Sequence, residues 1–62
     1  MNAKERQAVL SAARHEYSDY SAVHIRSEYN RRKMLGDFTV CGYVLTEGEM
    51  TALFRMLEDE RK

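Results

Sequence analysis

Proline and tryptophan are absent from these 62 residues, and there are only one cysteine and three glycines. A single thiol, Cys41, excludes an internal disulfide, and no Cys/His spacing of zinc-site type occurs. Between Ala3 and Leu35 there is neither proline nor glycine, so nothing in that stretch forces a helix to stop. No apolar run approaches the ~20 residues of a membrane span. Residues 1–10 lack the apolar region of a secretory signal. With the lone thiol, this sets the expected location in a reducing cytoplasm and away from membranes.

An excess of one charge is missing too, since ten Lys/Arg balance ten Asp/Glu. Polyanion binders normally carry a clear positive excess, so the composition speaks against a nucleic-acid partner. No Gly-rich phosphate loop, catalytic carboxylate pair or nucleophile–base set can be assembled. No catalytic residue, metal ligand or cofactor is therefore assigned, and an enzyme is not expected. His15 and His24 are nine residues apart, and each has an acid four residues on (Asp19 and Glu28), which makes them ordinary helix-surface pairs. Cys41 would need a neighbouring base or cationic pocket to act as a nucleophile, and a packed strand thiol is the simpler reading.

A chain of this length is one domain, residues 1–62, and buries only about 60% of its unfolded surface. Small folds are usually reinforced by disulfides, a metal or oligomerisation, and only the last is open here. What the chain does contain points the same way. Asn2 and Glu5 form a helix-start signature, and helix-forming residues continue to Leu35, predicting a first helix over 3–35. Its apolar stripe runs through Val9, Leu10, Ala13, Tyr17, Tyr20, Val23 and His24, and Met34 and Leu35 return to it. Ala22, Ile25 and Tyr29 form a second strip on nearly the opposite side. Ser18-Asp19-Tyr20-Ser21 is the weak point, where polar side chains compete for backbone hydrogen bonds, and a kink or a break there is the alternative to a continuous helix. Gly36 follows as a left-handed cap.

Phe38 to Leu45 is the one run that reads as a strand, with turn signals on both sides. As a single strand, 38–45, it places Phe38, Val40, Gly42 and Val44 on one face and Thr39, Cys41, Tyr43 and Leu45 on the other, and neither face is polar. A lone strand leaves its backbone groups unpaired. The expected remedy is a second copy: an intertwined homodimer whose two-stranded antiparallel ribbon is built from Phe38, Val40, Cys41, Gly42, Tyr43 and Val44 of each chain. On that reading a carboxylate at Val40 or at Cys41 should abolish folding, because folding and association are one event. The last helix, 47–59, has a capping box (Thr46, Glu49), a staple (Leu45, Met50) and the stripe Met50, Leu53, Phe54, Leu57. Its acidic end should fray from about Asp59. The expected fold class is thus α+β, mainly helical, helix–strand–helix.

Charge is unevenly spread. Residues 1–35 hold seven Lys/Arg against four Asp/Glu, and residues 36–62 hold three against six, which predicts electrostatic matching between helices. Four tyrosines, two phenylalanines and four methionines make an inventory suited to protein contacts. The expected docking feature is an apolar groove between the first and last helices, carried by Tyr17, Tyr20, Phe54 and Leu57. The alternative is a small nucleic-acid-associated regulator using the cluster Arg26, Arg31, Arg32 and Lys33.

From MNAKERQAVLSAARHEYSDYSAVHIRSEYNRR through GDFTVCGYVLTEGEMTALFRMLEDE, the chain resembles the small early proteins encoded between the exonuclease and excisionase genes of lambdoid temperate phages. The likeness spans the whole length, and no short motif carries it. It implies a dimer of helix–strand–helix chains in the host bacterial cytoplasm and an early role that favours lytic development. It also implies binding to host proteins rather than catalysis. The resemblance transfers no site residue.

Overall fold

The stretch from Ala3 to Leu35 folds as two helices, not one: α1, Ala3–Glu16, and α2, Ala22–Leu35. Asn2 starts α1 with its Oδ1 accepting from the Glu5 N–H at 2.8 Å. The break falls at the Ser/Asp-rich segment. The Tyr17 N–H still reaches the Ala13 carbonyl at 2.9 Å, and the Tyr20 N–H then turns back to Tyr17 O at 3.0 Å. Ser21 caps α2, its Oγ accepting from the His24 N–H at 3.3 Å. A straight helix over 3–35 would be a rod of about 50 Å, whereas the longest extent of this computed structural model, which describes residues 2–61, is 28 Å. Met1 and Lys62, also included in the single-domain reading, lie outside the described residues. The physical reason for the break is burial. Folding α1 back brings Val9, Leu10, Ala13 and Tyr17 onto the same core as Ile25 of α2. The corner also resets the helical phase, so Val23, Met34 and Leu35 face outward while Ala22, Ile25 and Tyr29 form the inner strip.

Gly36 ends α2 at φ 69°, with its N–H on Lys33 O at 3.2 Å and the Asp37 N–H on Arg32 O at 2.9 Å, a Schellman closure. The run predicted as one strand over 38–45 is a hairpin. β1, Thr39–Val40, pairs antiparallel with β2, Tyr43–Val44, in the register Thr39 with Val44 and Val40 with Tyr43. Cys41 and Gly42 form the two-residue turn at φ 51° and 82°, as a type I′ hairpin connection requires. An even-length turn reverses the parity of inward positions. Phe38, Val40, Tyr43 and Leu45 now face the core, and Thr39 and Val44 face away. The absence of a polar face in a straight strand is thereby resolved. The two-stranded antiparallel ribbon is present, and both of its strands come from one chain.

α3, Glu47–Asp59, begins as its sequence predicts. The Glu49 N–H donates to Thr46 Oγ1 at 3.1 Å, and the Thr46 N–H donates to Glu49 Oε1 at 2.8 Å. Leu45, Met50, Leu53, Phe54 and Leu57 are buried in the core with Val40. No charged side chain is buried among the described residues. The Cα radius of gyration, 10.7 Å, matches the roughly 10.6 Å of a compact chain of this length. No helix is long and apolar enough to cross a membrane among the described residues.

The predicted charge matching is present. Arg14 donates from Nε and Nη2 to Glu60 at 3.0 and 2.6 Å, and Arg26 donates from Nη2 to Glu58 at 2.8 Å. Both pairs join α1 or α2 to the end of α3, whose helix stops at Asp59, the position from which loosening was expected. Two carboxylates are held below their ordinary value of 4.5, Glu49 by the Thr46 N–H and Glu60 by the Arg14 guanidinium. A depressed folded-state value stabilises the fold above the unfolded-state value and is lost as pH falls through the folded one. Thermal stability should therefore hold steady above about pH 5 and decline below about pH 4.5. Glu49→Gln with Glu60→Gln should flatten that decline in melts from pH 3 to 7, and an unchanged slope would contradict the assignment.

Candidate functional site

The four residues expected to carry a groove do come together, but mostly as core. Tyr17, Phe54 and Leu57 are buried, and the Tyr17 ring lies 5.6 Å from Phe54 and 5.0 Å from Tyr20. Tyr20 alone reaches the surface, at 36% exposure. Burial pushes the Tyr17 hydroxyl above its ordinary value, with Arg32 opposing. Three of the four are unavailable to a partner because the centre of an apolar stripe is what packs first.

A groove does lie between the first and last helices, and its volume is about 600 Å³. Its apolar lining is Val9 and Leu10 from α1, Leu45, and Ala52, Leu53 and Met56 from α3. Arg6 and Gln7 border it on the α1 side and Glu49 on the α3 side. Close backbone apposition is most extensive between α2 and α3 and within the ribbon, and α1 meets the other elements more sparsely. Ala52 and Met56 were missed in the sequence. They are one turn apart beside the main stripe of α3, and that i, i+4 spacing was the signal that could have found them.

The residues assigned to an inter-chain ribbon occupy different roles. Phe38, Val40 and Tyr43 pack inward, Cys41 and Gly42 form the turn, and Val44 is 83% exposed. Burial raises the Cys41 thiol above its ordinary value, opposite to an activated thiolate.

The basic cluster is largely committed within the chain. Arg26 holds Glu58; Arg31 and Arg32 share Glu28 at 2.7 and 3.0 Å. Arg32 also donates to the Thr39 carbonyl and lies 3.7 Å from Asp37. Lys33 sits 5.9 Å from the Tyr29 ring centre. A phosphate at these arginines would share them with the carboxylates already there, and Arg26 and Arg31 keep 62% and 61% of their side chains exposed.

His15 and His24 lie on the surface, and His24 Nδ1 is 3.1 Å from Ser21 Oγ. No group of three or more His, Cys, Asp or Glu positioned for a metal occurs among the described residues. Comparison of the chain with protein-family models, with curated proteins and with solved structures gives no match.

Proposed function

We propose that the chain is a non-enzymatic binding module that takes an apolar helix segment of a partner protein into the groove between α1 and α3. The observation that carries this reading is the groove itself. Its lining from two helices and Leu45 is continuous with the core, and Met56 stands at its edge, 46% exposed. Helix-in-groove recognition needs such a floor for the partner's anchoring side chains. Met suits the rim because its unbranched thioether adapts to different shapes. The resemblance to lambdoid phage early proteins makes the partner a host protein in the bacterial cytoplasm and the outcome a bias toward lytic development. Association of two copies belongs to the same reading. Val23, Met34, Leu35 and Val44 remain outside the single-chain core, and a second copy would cover them.

Affinity capture from host lysate, compared between the natural chain and groove-filled variants, tests the reading. Ala52→Arg and Met56→Glu alter exposed positions, so melting should stay within about 0.5 kcal/mol of the natural chain. Proteins retained by the natural chain should be lost from both variants and kept by Val23→Ala. Retention unaffected by either groove substitution would move the site elsewhere.

A further inference from the structure

Arg61 touches three carbonyls on two parts of the chain. Its Nη1 donates to Leu57 O at 2.7 Å, its Nη2 to Tyr17 O and its Nε to Tyr20 O. Leu57 O lies in the last turn of α3, while Tyr17 and Tyr20 bracket the start of the corner between α1 and α2. Carbonyls at helix ends lack intrahelical partners, and the planar five-donor guanidinium can satisfy several at once. Next to it Glu60 holds Arg14 of α1, and Glu58 holds Arg26 of α2. The end of α3 thus grips both sides of the corner.

α1 is tied to the rest of the chain by side chains and by that grip. Like α2 (14 residues) and α3 (13), it has a length, 14 residues, that is marginal for an isolated helix. Its backbone apposition is sparser than that of α2 with α3, and it is held by Val9, Leu10, Ala13 and Tyr17. The corner contains no proline or glycine and is fixed by the Ser21 cap and by Arg61. Val9 and Leu10 form one wall of the groove, so the seating of α1 sets its width.

We infer that Arg61 is a clasp residue that sets the position of α1, and that α1 is the movable wall of the groove. Its release swings α1 outward as a unit while α2, the ribbon and α3 stay folded. The clasp regulates the site assigned under the proposed function and so rests on that reading for its biological use, although its physical behaviour is measurable without any partner.

Native-state hydrogen exchange of the natural chain in low urea should show the amides of Val9 to Glu16 exchanging through a subglobal opening. Its urea slope should be smaller than that of the Leu53 to Leu57 amides. Arg61→Ala should accelerate the α1 amides by about ten-fold or more and leave the α2 and α3 amides near their natural rates. Arg61→Lys keeps the charge but not the fork, and should fall between the two. Fluorescence of anilinonaphthalene sulfonate should rise in Arg61→Ala, and added Ala52→Arg should suppress the rise. Equal acceleration of α1 and α3, or α1 amides that open only with global unfolding in the natural chain, would overturn the clasp. Should Arg61→Ala not fold, the natural chain and Arg61→Lys still decide it. Failed partner capture with normal α1 opening would remove the binding reading alone; the reverse would remove the clasp alone.

Discussion

Phe54→Ala should leave the protein largely unfolded at 25 °C. The ring is 2% exposed and sits between Tyr17 at 5.6 Å and Tyr29 at 6.0 Å, where α1, α2 and α3 meet. Removing a buried aromatic costs about 3–5 kcal/mol, because the lost transfer energy is joined by an unfilled cavity. A single core in a chain of fewer than about 70–80 residues rarely supplies more than about 3–5 kcal/mol, so the loss is as large as the whole stability. Tyr20→Ala is the control. Its ring meets Tyr17 edge-on at 5.0 Å from an exposed position, and such contacts contribute about 0.5–1.5 kcal/mol. Far-ultraviolet circular dichroism with urea titration separates the two. A cooperative Phe54→Ala transition within about 1 kcal/mol of the natural chain would mean that the three-helix junction is not the core. The contrast also bears on function. Loss of a partner by Tyr17, Phe54 or Leu57 variants would report unfolding, whereas loss by Ala52 or Met56 variants would report the groove.

That division shows which features the amino-acid order alone exposes. α3 was legible throughout, since its capping box, staple and stripe lie within a dozen residues and agree with one another. The Gly36 cap was legible for the same reason. The break after Glu16 was legible only as a weak point at Ser18-Asp19-Tyr20-Ser21. Proline and glycine are absent there, and the Ser/Asp signals are ambiguous without Arg61, which reaches the corner from more than forty positions away. The hairpin escaped because Cys41-Gly42 lacks the Asn or Asp that usually marks a type I′ turn. As a straight strand the run then had no partner, and a second copy followed from that. Charge matching could be foreseen from the +3 and −3 halves, but the choice of Glu60 for Arg14 and Glu58 for Arg26 needed the helix angles. For the site, apolar spacing finds the stripe that packs inward; the proposed docking surface lies along its flank, at Ala52 and Met56, where the pattern is weaker.

Adjacent substitutions in the ribbon separate the hairpin from a strand shared between chains. Val40 is fully buried and faces the core from β1. Val40→Asp places a carboxylate among apolar side chains; an uncompensated buried charge costs about 3–5 kcal/mol, so the variant should be unfolded. Cys41 is the first turn residue, at φ 51°, and is only partly buried. An ordinary side chain in the left-handed region is strained by about 1–2 kcal/mol, and Asp and Asn tolerate that region because their short polar groups bond locally. Asp-Gly is also among the preferred pairs for a type I′ turn. Cys41→Asp exchanges modest thiol packing for a better turn and should melt within about 1 kcal/mol of the natural chain. In a straight strand paired across a two-fold axis, position 41 would lie at the centre of the ribbon, and its carboxylate would face its own copy. Equal collapse of both variants would therefore restore the shared strand, while an unfolded Val40→Asp beside a near-native Cys41→Asp places the reversal of the chain at Cys41-Gly42.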